Sequence, residues 1–293
     1  MANIYDYLDW RADIPFSTDP FNEVDALVLC ELAYVDFSGV LKNKDEFCSI
    51  TELHKRFFEL HTKEEIMAED SYVKETPFLL RKMKKSVRFG DVLAGRYVNI
   101  VSKEKEEQMS AITFVFDDFD FISFRGTDDT IVGWKEDFNM SFLPATSGQK
   151  AAARYVSETG GDKPLLIGGH SKGGNFAVYA AAFCSEEVKP RIRKVYTFDG
   201  PGFIREVTET REYRELLPKI ASIIPEGSVM GLLLEDGYPH KIVGSTAKGI
   251  KQHDGQTWEV RRNCFVTAQE LTRGSIFADK TLTRWIESFD HEE

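Results

Sequence analysis

The hydrophobic positions change spacing along the chain. Residues 21–35, FNEVDALVLCELAYV, carry apolar side chains at helical spacing and predict a helix, with Asp19 or Asn22 available to cap its start. Residues 51–71 and 75–87 are charged, Met- and Phe-bearing and broadly amphipathic, which predicts either a solvated helical layer or a cap over a site. The period then shortens. Runs at 97–101, 111–116 and 119–124 are β-rich, with polar turns at 103–108 and 117–118 between them, and predict an antiparallel hairpin feeding an inner strand. Beyond this point strands and helices alternate. Helical stretches fall near 131–140 and 147–158, a buried strand at 164–167, a helix at 174–186 and a strand at 195–198. Further strands are expected at 221–224, 229–234 and 241–243, and a last helix over 267–288. Such alternation predicts an α/β architecture with a mainly parallel sheet and flanking helices.

Composition narrows the class. A chain of 293 residues with 42% hydrophobic and 29% charged residues buries a sizeable core. That length suits one large α/β domain, or two small ones. The net charge of −11 gives a long-range field of the wrong sign for nucleic acid or an anionic membrane surface. The four cysteines, Cys30, Cys48, Cys184 and Cys264, form no CxxC pair, so no zinc site is expected and free buried thiols are. No apolar run reaches membrane-spanning length, and the N-terminal residues lack the basic and apolar stretches of a secretion signal. The expectation is a cytoplasmic protein without integral membrane contact.

The chemistry concentrates in residues 164–183, PLLIGGHSKGGNFAVYAAAF. Gly169-His170-Ser171-Lys172-Gly173 is a G-x-S-x-G motif between an apolar run and an Ala-rich helical run, the strand–turn–helix context of a nucleophile elbow. Small residues flanking the serine let strand and helix pass closely. The helix N-terminus then aims its unbonded N–H groups at a developing oxyanion. Upstream, Phe124-Arg125-Gly126-Thr127 closes a strand, and Thr127 precedes Ser171 by 44 residues. A backbone N–H in such a loop is the usual second oxyanion donor, so Thr127 and Lys172 are the expected pair, each through its amide. The Lys172 ammonium is expected to be solvated. Trp134 and Asp137 are read as locking the helix after FRGT, and the pairs Asp128-Asp129 and Glu186-Glu187 as surface.

FRGT before a Trp-containing helix, then GHSxGG, then a strand ending in TFxGPG, resembles the class 3 lipases. GHSKGGNFAVYAA, TFDGPGF and QHDGQTWEV more closely resemble a poorly characterised bacterial lipase-like branch, over about residues 95–265. The resemblance implies an α/β-hydrolase fold and carboxylic-ester hydrolysis by Ser171, with Thr127 and Lys172 at the oxyanion hole.

A base must take the serine proton. In this fold it follows the last strands. His253, in a polar loop before the final helix, fits that place, whereas His240 at a strand entry reads as structural. The ring of His170, beside the serine, is expected to point away from the catalytic face. For the acid, Asp199 stands directly after the strand at 195–198. Class 3 lipases usually carry their acid one strand later, where this chain has Ser228, with Glu226 and Asp236 as nearby alternatives.

The expectation is one α/β-hydrolase domain over residues 1–293. A helical N-terminal region spans 1–90, in part a possible cap, and a catalytic core spans 95–290. It acts on a small ester, thioester or lipid through an acyl-enzyme, with no cofactor or metal. Acyl transfer from the same serine, and a non-catalytic binding protein on the same fold, are the alternatives.

Overall fold

The computed structural model describes residues 1–69, 71, 73–102, 104, 107–127, 140, 142–278 and 280–281. Among these residues one sheet has eight strands lying side by side in chain order: β1 (Phe47–Ser49), β2 (Leu93–Ser102), β3 (Glu107–Val115), β4 (Asp120–Phe124), β5 (Leu165–His170), β6 (Ile192–Phe198), β7 (Ile220–Pro225) and β8 (His240–Val243). Neighbours from β1 to β4 are antiparallel. From β4 to β8 every pair is parallel. A parallel strand must return along one face of the sheet before the next begins. Helices therefore cover both faces, and the sheet is mainly parallel with an antiparallel N-terminal side, the arrangement of an α/β hydrolase.

Alternation along each strand divides the core in two. On β4, Phe121 joins the cluster on one face while Ile122 and Phe124 join the other. On β6, Val195 and Tyr196 divide the same way. The first face is covered by α1 (Ile4–Arg11), α2 (Glu23–Leu32), α3 (Ile50–Leu60) and α5 (Phe78–Met83), with the short α4 (Lys63–Ala68) beside them. The second is covered by α6 (Ser147–Ser157), α7 (Lys172–Phe183) and, after α8 (Arg205–Thr208), α9 (Arg211–Leu216).

Helix α2 starts where Asn22 accepts from the Val24 and Asp25 amides, while Asp25 accepts from the Asn22 amide in return. Every residue from Val24 to Leu32 is buried, so α2 lies between the sheet and the outer helices. That burial includes two acids. Asp25 is paired with the Arg88 guanidinium and also accepts from the Tyr7 hydroxyl at 2.7 Å. Arg88 donates further to the Asp19 carbonyl at 2.8 Å and lies 4.0 Å from the centre of the Phe16 ring. The second acid, Glu31, accepts from Gln256 Nε2 at 3.2 Å.

The structure departs from the sequence reading in places. Residues 229–234 contain a 3₁₀ turn, Met230–Leu232, instead of a strand, because the Leu232 and Leu233 amides bond back to the Val229 and Met230 carbonyls and the Gly231 amide turns to Asp199. Glu107 and Gln108 belong to β3 rather than to a turn. Strand β1 was not expected within the region 1–90 read as helical, and α1, which starts on its own capping box, Asn3 with Asp6, was not singled out within it. The last helix begins only at residue 273, and its part beyond residue 281 lies outside the described residues, as does the helix expected at 131–140 apart from Met140. Cys264 is exposed, whereas the other three thiols are free and buried as expected. Among the described residues no helix is long and apolar enough to cross a membrane.

Candidate active site

The parallel strands end at one edge, and the candidate residues sit along it. Ser171 follows β5 and precedes α7, with φ +57° and ψ −132°. That backbone is costly for any residue with a Cβ, on the order of 1–3 kcal/mol. The surrounding turn imposes it. The Ser171 amide donates to the Phe198 carbonyl at 2.9 Å, and its carbonyl accepts from the Gly174 amide at 2.8 Å. Close approach explains the glycines: a Cβ on Gly169 would collide with the Gly173 backbone, and one on Gly173 with the Phe124 carbonyl.

Asp199 follows β6 and is fully buried. Its amide donates to the Ile223 carbonyl at 2.9 Å, which ties the turn to β7. One carboxylate oxygen, Oδ1, accepts from the Ser228 hydroxyl and from the Gly231 amide at 3.1 Å. The other, Oδ2, lies 2.6 Å from His253 Nδ1. His253 Nε2 in turn lies 2.9 Å from Ser171 Oγ. A carboxylate accepts, so Nδ1 carries the hydrogen and Nε2 presents its lone pair to the serine hydroxyl. Ser171, His253 and Asp199 therefore form one continuous hydrogen-bonded line.

His253 arrives from the 3₁₀ turn Gly249–His253 after β8. Trp258 Nε1 donates to the Gln252 carbonyl at 2.8 Å, and Gln252 Oε1 accepts from the Gly227 amide at 2.9 Å. Asp254 caps the next turn by accepting from the Gln256 amide at 2.9 Å. Among the described residues the alternative acids stand elsewhere. Asp236 Oδ2 lies 2.8 Å from His240 Nε2, whose Nδ1 lies 2.8 Å from Ser222 Oγ. Glu226 directly follows β7, its amide donates to the Val243 carbonyl, and no described hydrogen bond joins it to His253. Ser228, at the position where an acid was sought, instead supports Asp199 by donating to it.

Phe124 is in register with Gly169 across the parallel pair β4–β5, which carries the loop 125–127 alongside residues 170–172. Thr127 thus stands next to the elbow. Lys172 opens α7, where amides have no helical carbonyl to bond. The Lys172 side chain is not solvated as expected. It is 2% exposed and donates to Gln108 Oε1 at 2.8 Å, because Gln108 lies in β3, itself buried beside β4. Asp128, Asp129, Trp134 and Asp137 lie outside the described residues.

A cavity of about 30 Å³ opens beside Ser171, lined by Met140, Pro201, Met230, Leu233, Leu234 and Lys172. Its walls are apolar apart from the two residues of the elbow. Among the described residues no group of three or more His, Cys, Asp or Glu side chains is arranged to hold a metal ion.

Sequence reasoning did not single out Tyr34. Its hydroxyl lies 2.8 Å from Nδ1 of the buried His170, whose Nε2 lies 2.6 Å from the His253 carbonyl. Tyr34 is 136 residues from His170, and no local pattern marks the contact.

A family model described as Mbeg1-like matches residues 83–293. No curated protein matches the chain. Among solved structures, the M37 lipase is similar at 15% identity and a TM-score of 0.39, over 71% of this chain and 67% of that one. The lipase from Rhizopus microsporus var. chinensis is similar at 15% identity and a TM-score of 0.36, over 63% of this chain and 69% of that one.

Proposed function

The chain belongs to the Mbeg1-like family, and from that premise we propose that it is a serine hydrolase cleaving carboxylic esters or thioesters through an acyl-enzyme. The observation that carries this reading is the line from Asp199 Oδ2 through His253 to Ser171 Oγ, with steps of 2.6 and 2.9 Å, ending on a serine in strained backbone. A strained, positive-φ serine between a strand and a helix has little purpose in packing, and its strain presents Oγ at the sheet edge.

The chemistry proceeds in two halves. His253 Nε2 takes the hydroxyl proton of Ser171 as Oγ forms its bond to the acyl carbon. The carbonyl π electrons move to oxygen, and the resulting oxyanion accepts from the Thr127 and Lys172 amides. Asp199 holds the ring with Nδ1–H towards itself and stabilises the imidazolium. Collapse of the intermediate breaks the bond to the leaving alcohol or thiol, which leaves with the proton from His253. Water then attacks the acyl-enzyme with His253 as base again, and the acid product departs from Ser171. The apolar wall formed by Met140, Met230, Leu233 and Leu234 suits the acyl portion of such a substrate.

Treatment with a fluorophosphonate probe, with the adduct mapped by mass spectrometry, tests the reading. Modification is expected at Ser171, absent in Ser171→Ala and slowed at least ~100-fold in His253→Ala. A folded wild-type protein that stays unmodified in the presence and absence of detergent would overturn the proposal. So would labelling indifferent to His253→Ala. If the probe reacts, a panel of esters and thioesters of graded acyl length defines the substrate.

A further inference from the structure

Behind the line of three residues lies a second line that touches none of the reacting atoms. His170 is 1% exposed, and its ring centre is 4.7 Å from that of His253. Its Nε2 is 2.6 Å from the main-chain carbonyl oxygen of His253. A carbonyl can only accept, so Nε2 carries hydrogen. Burial, and then the charge of neighbouring His253, push the pKa of His170 down to about 3. The ring is therefore neutral, with a single N–H, and Nδ1 must accept. Its partner at 2.8 Å is the Tyr34 hydroxyl, which accordingly donates. The order of donation is fixed from Tyr34 to His170 to the His253 backbone.

The same pair meets the other side of the elbow. A Cβ on Gly126 would collide with the Tyr34 hydroxyl and lie 2.8 Å from the His170 carbonyl. The segment ahead of Thr127 therefore rests directly on Tyr34 and His170, and glycine is the residue that lets it do so.

We propose that Tyr34 and His170 are positioning residues, which hold the backbone of the base His253 and the loop before Thr127 at a common distance from Ser171. The inference rests on the serine-hydrolase reading above. Tyr34 selects the imidazole tautomer whose Nε2–H anchors the His253 carbonyl. This fixes the stem from which the catalytic ring projects, as Asp199 fixes the ring itself. A displacement of about 1 Å in such a group costs on the order of 100-fold in rate. The effect falls on the chemical step and leaves substrate binding alone, because neither residue lines the cavity at Ser171.

The test measures fluorophosphonate labelling of Ser171 over a range of probe concentrations, separating the maximal rate from the half-saturating concentration. Melting temperatures are recorded alongside. In His170→Leu the maximal rate should fall about 100-fold, with the half-saturating concentration within roughly threefold of wild type. His170→Gln places an amide N–H near the former Nε2 and should recover most of that loss. Tyr34→Phe deletes one hydroxyl and frees the tautomer, so it should slow the maximal rate roughly tenfold. If His170→Leu does not fold, Tyr34→Phe decides alone. A folded Tyr34→Phe or His170→Leu that labels at the wild-type maximal rate would overturn the proposal, as would a glutamine variant no better than leucine. Wild-type protein unlabelled at Ser171 overturns the hydrolase reading, and this inference with it. Labelled wild type with indifferent variants overturns this inference alone.

Discussion

At the scale of the residue, Ser171 shows how local strain and chemistry are linked. Its φ of +57° costs a residue with a Cβ more than it costs glycine. Replacing serine by alanine keeps that cost, whereas glycine relieves it. Ser171→Gly should therefore melt at a higher temperature than Ser171→Ala, by an amount corresponding to about 1–2 kcal/mol once glycine's freedom in the unfolded chain is subtracted from the relieved strain, with labelling abolished in both. Calorimetry of the two variants checks this. Equal melting temperatures would mean that the strain is no larger than the roughly 0.4–1 kcal/mol that glycine's freedom in the unfolded chain costs. Asp199 also has positive φ, +49°, at the turn after β6, but aspartate is among the residues that tolerate this conformation.

At the scale of the element, α2 is the helix on which the first face of the core is built. Its buried Asp25 and the Arg88 guanidinium satisfy each other, and Tyr7 and the Asp19 carbonyl complete the shell. Removing one ion leaves the other unpaired in the core. Arg88→Met should cost roughly 3–5 kcal/mol, and adding Asp25→Asn should restore much of it. Urea titrations of the single and double variants measure the difference; a single variant as stable as wild type would refute it.

The elements that the sequence revealed are those whose signal is local. The apolar runs before and after GHSKGG became β5 and α7, and the alternating runs near 111–124 became β3 and β4. Asn22 was legible as a cap because its partner, Asp25, is three residues away. The candidate site was legible to the extent that each residue is marked by an element end: Ser171 after β5, Asp199 after β6, His253 after β8. What was hidden depends on neighbours far along the chain. The apolar run at 229–234 has the composition of a strand, but its Gly231 amide is drawn to Asp199, 32 residues away, and the run turns. Lys172 looked like a surface lysine until Gln108, 64 residues away, was placed against it. Tyr34 carries no local signal, since its meaning lies in a contact with His170.

At the scale of the whole molecule, two buried titratable groups shape stability against pH. Burial first, and the Asp254 charge second, push the Glu31 pKa from 4.5 up to about 8. Its stabilising contribution is fully present below 4.5 and is lost as pH rises through about 8. His170, whose pKa falls from 6.5 to about 3, behaves oppositely: its contribution is present above 6.5 and is lost as pH falls towards 3. Between 4.5 and 6.5 the unfolded chain protonates His170 and the folded chain protonates Glu31, so these two contributions to the slope cancel. Stability from this pair should be flat there and decline on either side. Glu31→Gln removes only the alkaline decline. Its melting temperature should fall less than that of wild type between pH 6 and pH 8.5, read by circular dichroism. Parallel curves for the two proteins would show that Glu31 does not titrate in that range.

Tyr5 of α1 donates to Gln256 Oε1 at 2.8 Å, three residues past His253, and the Ala2 carbonyl accepts from the Val260 amide at 2.8 Å. Contacts spanning some 250 residues close late, because so much chain must be gathered before they pay back its entropy. In a growing chain His253 follows Asp199 by 54 residues and Ser171 by 82, so the elbow and the Asp199 turn are made before the imidazole that joins them. On the serine-hydrolase proposal, order of manufacture acts as a safety catch: the serine is made before the residue proposed to rouse it, and the two are joined only once distant contacts such as Tyr5 with Gln256 have closed.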